Sequence, residues 1–138
     1  MLSSSRFVVA IHALSVLARS AGKGPVCSTA IADSVHTNPV VIRRLMSELE
    51  KSSIVKSTAG RTGGFELARS ATGISLAEVY CAVEDKSFFR MHKTDPMAEC
   101  PVAAQLKSVL SKPLKAAEDA LTNALAVTSL DDVVRSFV

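Results

Sequence analysis

No apolar run in the 138 residues is longer than five, whereas about 20 are needed to cross the hydrocarbon core of a bilayer. A membrane-spanning helix is therefore not expected. A cleavable leader is not expected either, because Arg6 and His12 interrupt the first apolar stretch and no small-residue cleavage site follows. The expected compartment is the cytoplasm. Cysteine is scarce: Cys27, Cys81 and Cys100 are too few and too far apart for a disulfide framework. Catalytic signatures are also missing. There is no Gly-rich loop in a strand-to-helix setting, no Ser/His/Asp set and no His-x-x-x-His pair, so the chain is not expected to be an enzyme.

What is present is an ordinary globular mixture, 48% hydrophobic and 21% charged. The length suits one compact domain, or a small domain with a dimerisation arm. The net charge of +3 is unevenly spread. Residues 1–69 carry nine Lys/Arg against four Asp/Glu, whereas residues 70–138 carry seven against nine. Positive charge gathered in one half points to a nucleic-acid surface there, the alternative being a basic but inert face.

Apolar residues at Phe7, Ile11, Leu14 and Ala18, widened by Val8 and Leu17, predict a helix over 4–20, ended by Gly22, Gly24 and Pro25. A short second helix is expected from Ser28, its N-cap, with Ile31 and Val35 facing inward and His36-Thr37 as the turn. Asn38-Pro39 opens a third helix, since Asn is a good cap and the missing N–H of Pro costs nothing at the first helical position. Ile42, Leu45, Met46 and Leu49 form its apolar face. The period then changes. Residues 54–58 and 65–68 read as two strands joined by a loop with three glycines, a hairpin signal. Ser75-Leu76-Ala77-Glu78 is a capping box that starts another helix. From Pro101 a helical pattern carries Leu106, Leu110, Leu114, Leu121 and Leu125, with Pro113 expected to kink or divide it, and Ser129 caps a terminal helix.

Helix, helix, turn, helix and hairpin is the order of a winged helix-turn-helix. The expected fold is mostly α with a small β hairpin. Residues 1–84 would form a DNA-binding domain, 85–100 a sensor-like loop and 101–138 the dimerisation helices. The third helix and the turn before it can present Thr37, Asn38, Val40, Arg43, Arg44 and Ser47 to a major groove. The hairpin can lie along the DNA backbone, with Arg61 near its tip. The expected partners are double-stranded DNA and a second copy of the chain, and the expected role is a regulator, most simply a repressor. The competing class is a non-catalytic dimeric scaffold that binds a protein, but such a scaffold has no need of Arg43 and Arg44 side by side.

The sequence resembles the bacterial winged-helix regulators typified by IscR, NsrR and CymR. The resemblance is carried by Arg6-Phe7, Ala13-Leu14, residues 31–35, residues 38–45, residues 60–69, residues 74–84 and Cys100-Pro101-Val102. It implies a homodimeric repressor or activator whose long C-terminal helix packs on its partner's. It also implies a wing arginine, just before the first hairpin glycine, that enters a minor groove. Here Ala59 holds that place and Arg61 stands two residues on, so Arg61 either reads the groove or remains a solvated charge that touches phosphate at most. Members that hold an iron–sulfur cluster place three cysteines before that helix. Here only Cys100 matches, with His92, Asp95 and Glu99 nearby, and a cluster needs about four good ligands. No cofactor and no metal are expected, and the resemblance is to the single-cysteine branch. Cys100 either reacts as a thiolate favoured by a helix N-terminus or fills space as a small hydrophobe. Cys27 and Cys81 read as structural. Phe88 and Phe89 read as core or dimer packing, or with His92 as the wall of a small-ligand pocket. The sensor candidates are therefore Cys100 and His92, and the signal an oxidant or a small molecule.

Overall fold

The computed structural model describes residues 5–84, 89, 91–93 and 97–137. Helix α1 (Arg6–Arg19) is central: α2, α3, α4, α6 and strand β2 all pack on it. Its buried stripe is Ala10, Ala13, Leu14 and Leu17, which is the i, i+3, i+4, i+7 spacing of one helix face. Of the residues that the sequence pattern places on this stripe, Leu14 is buried, whereas Phe7, Ile11 and Ala18 are half-buried.

Helix α2 (Ser28–Val35) buries Ile31 and Ala32. Its N-cap is Cys27 rather than Ser28. Val26 exchanges both backbone hydrogen bonds with Phe65 (3.0 and 2.8 Å), so the chain remains extended through Cys27 and turns helical only at Ser28. His36 closes α2 in the left-handed region at φ 62°. Asn38 then caps α3 (Pro39–Lys51), its Oδ1 accepting the Val40 N–H at 2.8 Å, with Pro39 in the first turn. Ile42, Leu45, Met46 and Leu49 are all buried, as their spacing predicts.

Strands β1 (Val55–Thr58) and β2 (Gly64–Leu67) pair antiparallel, with Val55 opposite Leu67 and Ser57 opposite Phe65. Gly64 is required by close approach, because a Cβ there would lie 2.3 Å from the Val26 carbonyl oxygen. After a 3-10 turn (Ala71–Gly73), α4 (Leu76–Val83) opens with the expected reciprocal cap between Ser75 and Glu78. Arg69 bonds the Gly73 carbonyl and the Glu78 carboxylate (2.8 Å to the latter), tying the end of the wing to α4.

Helix α5 runs undivided from Pro101 to Ala126 and buries none of its 26 residues. Pro113 does not break it. The hydrogen bond lost at Pro113 frees the Val109 carbonyl, and both residues are exposed, so water can satisfy it. Helix α6 (Leu130–Arg135) returns to α1 and the 3-10 turn instead of extending the arm, and Leu130 is fully buried in the core. An isolated antiparallel bridge joins Ser75 to Ser129 through Leu76 N–H to Thr128 (2.9 Å) and Leu130 N–H to Ile74 (2.8 Å). Two helix starts are thereby stitched together. No helix among the described residues is long and apolar enough to cross a membrane.

Candidate nucleic-acid interface

One side of α3 is in the core, and the helical period decides what the other side carries. Val40, Arg44, Ser47 and Lys51 follow one another by four, three and four residues, so they share a face opposite Ile42, Met46 and Leu49. All four are exposed, Val40 by 42%. This crown offers an apolar contact at its N-terminal end and two cations further along.

The flanks of α3 are tied to other elements. Arg43 leans toward α2, where its Nη1 donates to Ser28 Oγ at 3.2 Å. On the opposite flank Glu48 forms an ion pair with Arg6 of α1. Beside that pair Thr37, Val41, Arg44 and Glu48 line a cleft of about 300 Å³. At the C-terminal end Glu50 accepts from Ser57 of β1.

The structure thus separates residues that the sequence had grouped. Arg44, Ser47 and Val40 lie on the crown. Arg43 is on a flank with a hydrogen-bond partner, Asn38 uses its side-chain oxygen as a cap, and Thr37 is half-buried in the cleft. Arg61 is exposed in the loop between β1 and β2. Lys51 completes the crown, and the spacing 40, 44, 47, 51 is the sequence signal for it.

Cys100 is the N-cap of α5, with extended backbone and no capping bond from its sulfur, and it is exposed. Cys27 and Cys81 are exposed too. His92 and Phe89 are exposed, and Phe88 and Asp95 lie outside the described residues.

A family model, Rrf2, described as "Iron-dependent Transcriptional regulator", matches residues 3–136. YwnA of Bacillus subtilis strain 168, named as an HTH-type transcriptional regulator, is 40% identical over 132 residues, covering 95% of this chain and 96% of that one. A crystal structure of a protein described as DNA-binding is 40% identical with a TM-score of 0.75, covering 94% and 98% of the two chains. The structure of CymR, the global cysteine regulator of B. subtilis, shares the fold at 20% identity, with a TM-score of 0.66 and full coverage of both chains.

The family description implies iron, and the donors described here do not fit it. The three cysteines stand on separate elements, at the start of α2, within α4 and at the start of α5. Among the described residues no three His, Cys, Asp or Glu side chains converge on a point that could hold a metal ion.

Proposed function

Because the chain belongs to the Rrf2 family of DNA-binding transcriptional regulators, we propose that it acts as a homodimeric repressor on an inverted-repeat operator. Two copies of α3 would enter successive major grooves about 34 Å apart, or a multiple of that distance. The observation that carries this reading is the crown of α3, with Val40, Arg44, Ser47 and Lys51 exposed along one line. An arginine at this place can pair with the O6 and N7 of guanine, and a valine can meet a thymine methyl.

The dimer is supported by α5. Its apolar side chains include Val102 and Val109, 67% and 64% exposed, and a half-buried row of Leu106, Leu110, Leu114, Leu121 and Leu125. Contiguous apolar surface of this kind marks an interface. Val8 on α1 is also 67% exposed.

The proposed signal acts on the thiol of Cys100. Peroxide would oxidise this sulfur to a sulfenic acid, itself reduced to water, and place a larger polar group at the first turn of the arm. An arm that sets the separation of two α3 helices would then set it wrongly, and operator affinity would fall.

The test is enrichment of duplexes from a random pool by the purified protein. An inverted repeat with half-sites one helical turn or a multiple apart is expected, together with a dimer by light scattering at micromolar concentration. A monomer, or an enriched site without two-fold symmetry, would remove the proposed assembly. Mild peroxide should weaken binding by wild type and leave Cys100→Ser unaffected. Equal behaviour of the two proteins would eliminate the thiol switch.

A further inference from the structure

A helix that approaches phosphates carries two carboxylates, Glu48 and Glu50, and unmatched negative charge there would oppose binding. Glu48 is matched by Arg6. Glu50 forms no ion pair among the described residues; instead its Oε1 accepts two hydrogen bonds from one residue of β1, the Ser57 hydroxyl at 2.8 Å and the Ser57 amide at 3.3 Å. The Ser57 amide therefore lies on the open edge of β1, the side away from β2, and the carboxylate seals that edge against the end of the recognition helix.

The hairpin is also held from its other side, where Phe65 of β2 pairs with Val26. Packing on α1 and the Arg69 tie to α4 hold the base of the same strand, so the Glu50 bonds add the tie on the β1 side that limits rotation of the outer ribbon about the β2 seam. Arg61 lies four residues beyond Ser57, so at about 3.3 Å per residue it sits at most about 13 Å out along the ribbon. A pivot of about 10° would carry the tip about 2 Å, which is enough to lose a hydrogen bond to a phosphate oxygen.

We propose that Glu50 is a positioning residue for the wing, fixing the hairpin to the C-terminal end of α3 so that the crown and Arg61 meet one duplex together. The inference rests on the DNA-binding reading and makes Glu50 part of specificity without contact to DNA.

The experiment compares Glu50→Gln with Glu50→Ala in wild-type and Arg61→Ala backgrounds, on duplexes enriched from a random pool by the wild type. Both substitutions remove the same charge, so any relief of repulsion from phosphates is equal. Only glutamine keeps an oxygen for Ser57. Glu50→Ala should bind about three- to tenfold more weakly than Glu50→Gln, the range a single hydrogen bond supports, and the gap should vanish in the Arg61→Ala background. Ser57→Ala, which keeps the amide bond and loses the hydroxyl, should give part of the same loss. The inference is overturned if alanine and glutamine bind alike, if the gap persists without Arg61, or if Arg61→Ala has no effect on wild type. A wild type that enriches no duplex would overturn the DNA-binding reading as well, which separates the two failures.

Discussion

Arg43 and Arg44 are adjacent in sequence and have different surroundings, so alanine at each should read out differently. Arg44 points from the crown, and its loss should cost about 1–3 kcal/mol of discrimination at one base pair. Arg43 reaches sideways to Ser28. Its loss should weaken binding to all duplexes alike and lower the salt slope by about one. Titrations of both variants against the enriched site and a scrambled duplex, at several salt concentrations, check this; identical profiles would make the division of roles wrong. At Glu78 the effect belongs to folding. The Arg69 guanidinium bonds this carboxylate, and with the Ser75 amide holds its pKa below the ordinary 4.5. A pKa lower in the folded state means stabilisation that is complete above the unfolded value and disappears as pH falls through the folded one. The pair is nearly half exposed, so the gain is small. Glu78→Gln should lower the urea midpoint at neutral pH and remove part of its decline below pH 4.5.

Among the elements, those with local causes were legible in the sequence. Asn38-Pro39, the Ser75–Glu78 box and the Ser129 cap lie within a few residues of what they cap, and each starts a helix where the pattern places it. The apolar face of α3 was legible for the same reason. Contacts between distant residues leave no period to read. Arg43 with Ser28, Glu50 with Ser57 and Val26 with Phe65 are brought together only by the fold, and the Val26 pair moved the start of α2 by one residue. The crown was half legible: its spacing is in the sequence, whereas the turning aside of Arg43 and the capping use of Asn38 depend on neighbours. Gly64 gives the clearest prediction at this scale. With the Val26 carbonyl 2.3 Å from a built Cβ, Gly64→Ala must part β2 from the link before α2, at a cost of about 1–3 kcal/mol. Thermal melts should show that loss, and wing-dependent binding should fall with it. Alanine tolerated at wild-type stability would mean that the link moves freely.

The whole molecule is a compact body with one protruding helix, and the chain leaves the body to make α5 and then comes back. Leu130 completes the same core as Leu14, Ile42 and Ile74, although more than fifty residues separate it from the nearest of them in sequence. Leu130→Ala should cost about 2–5 kcal/mol, a large fraction of the 5–15 kcal/mol typical of a domain. A chain ending at Val127 should lose cooperative melting altogether. If it melted as wild type does, the returning helix would be an ornament on an independent domain. The bridge between Ser75 and Ser129 has a further consequence during synthesis. A ribosome that has released the first 84 residues has released all of the helix-turn-helix and the wing, but neither Thr128, which receives the Leu76 amide, nor Leu130, which donates to the Ile74 carbonyl. The nascent chain therefore holds an open core until the strand that closes it emerges. By then the arm is already outside, so in the proposed dimer the residues that complete the DNA-gripping body emerge only after those that would find its twin.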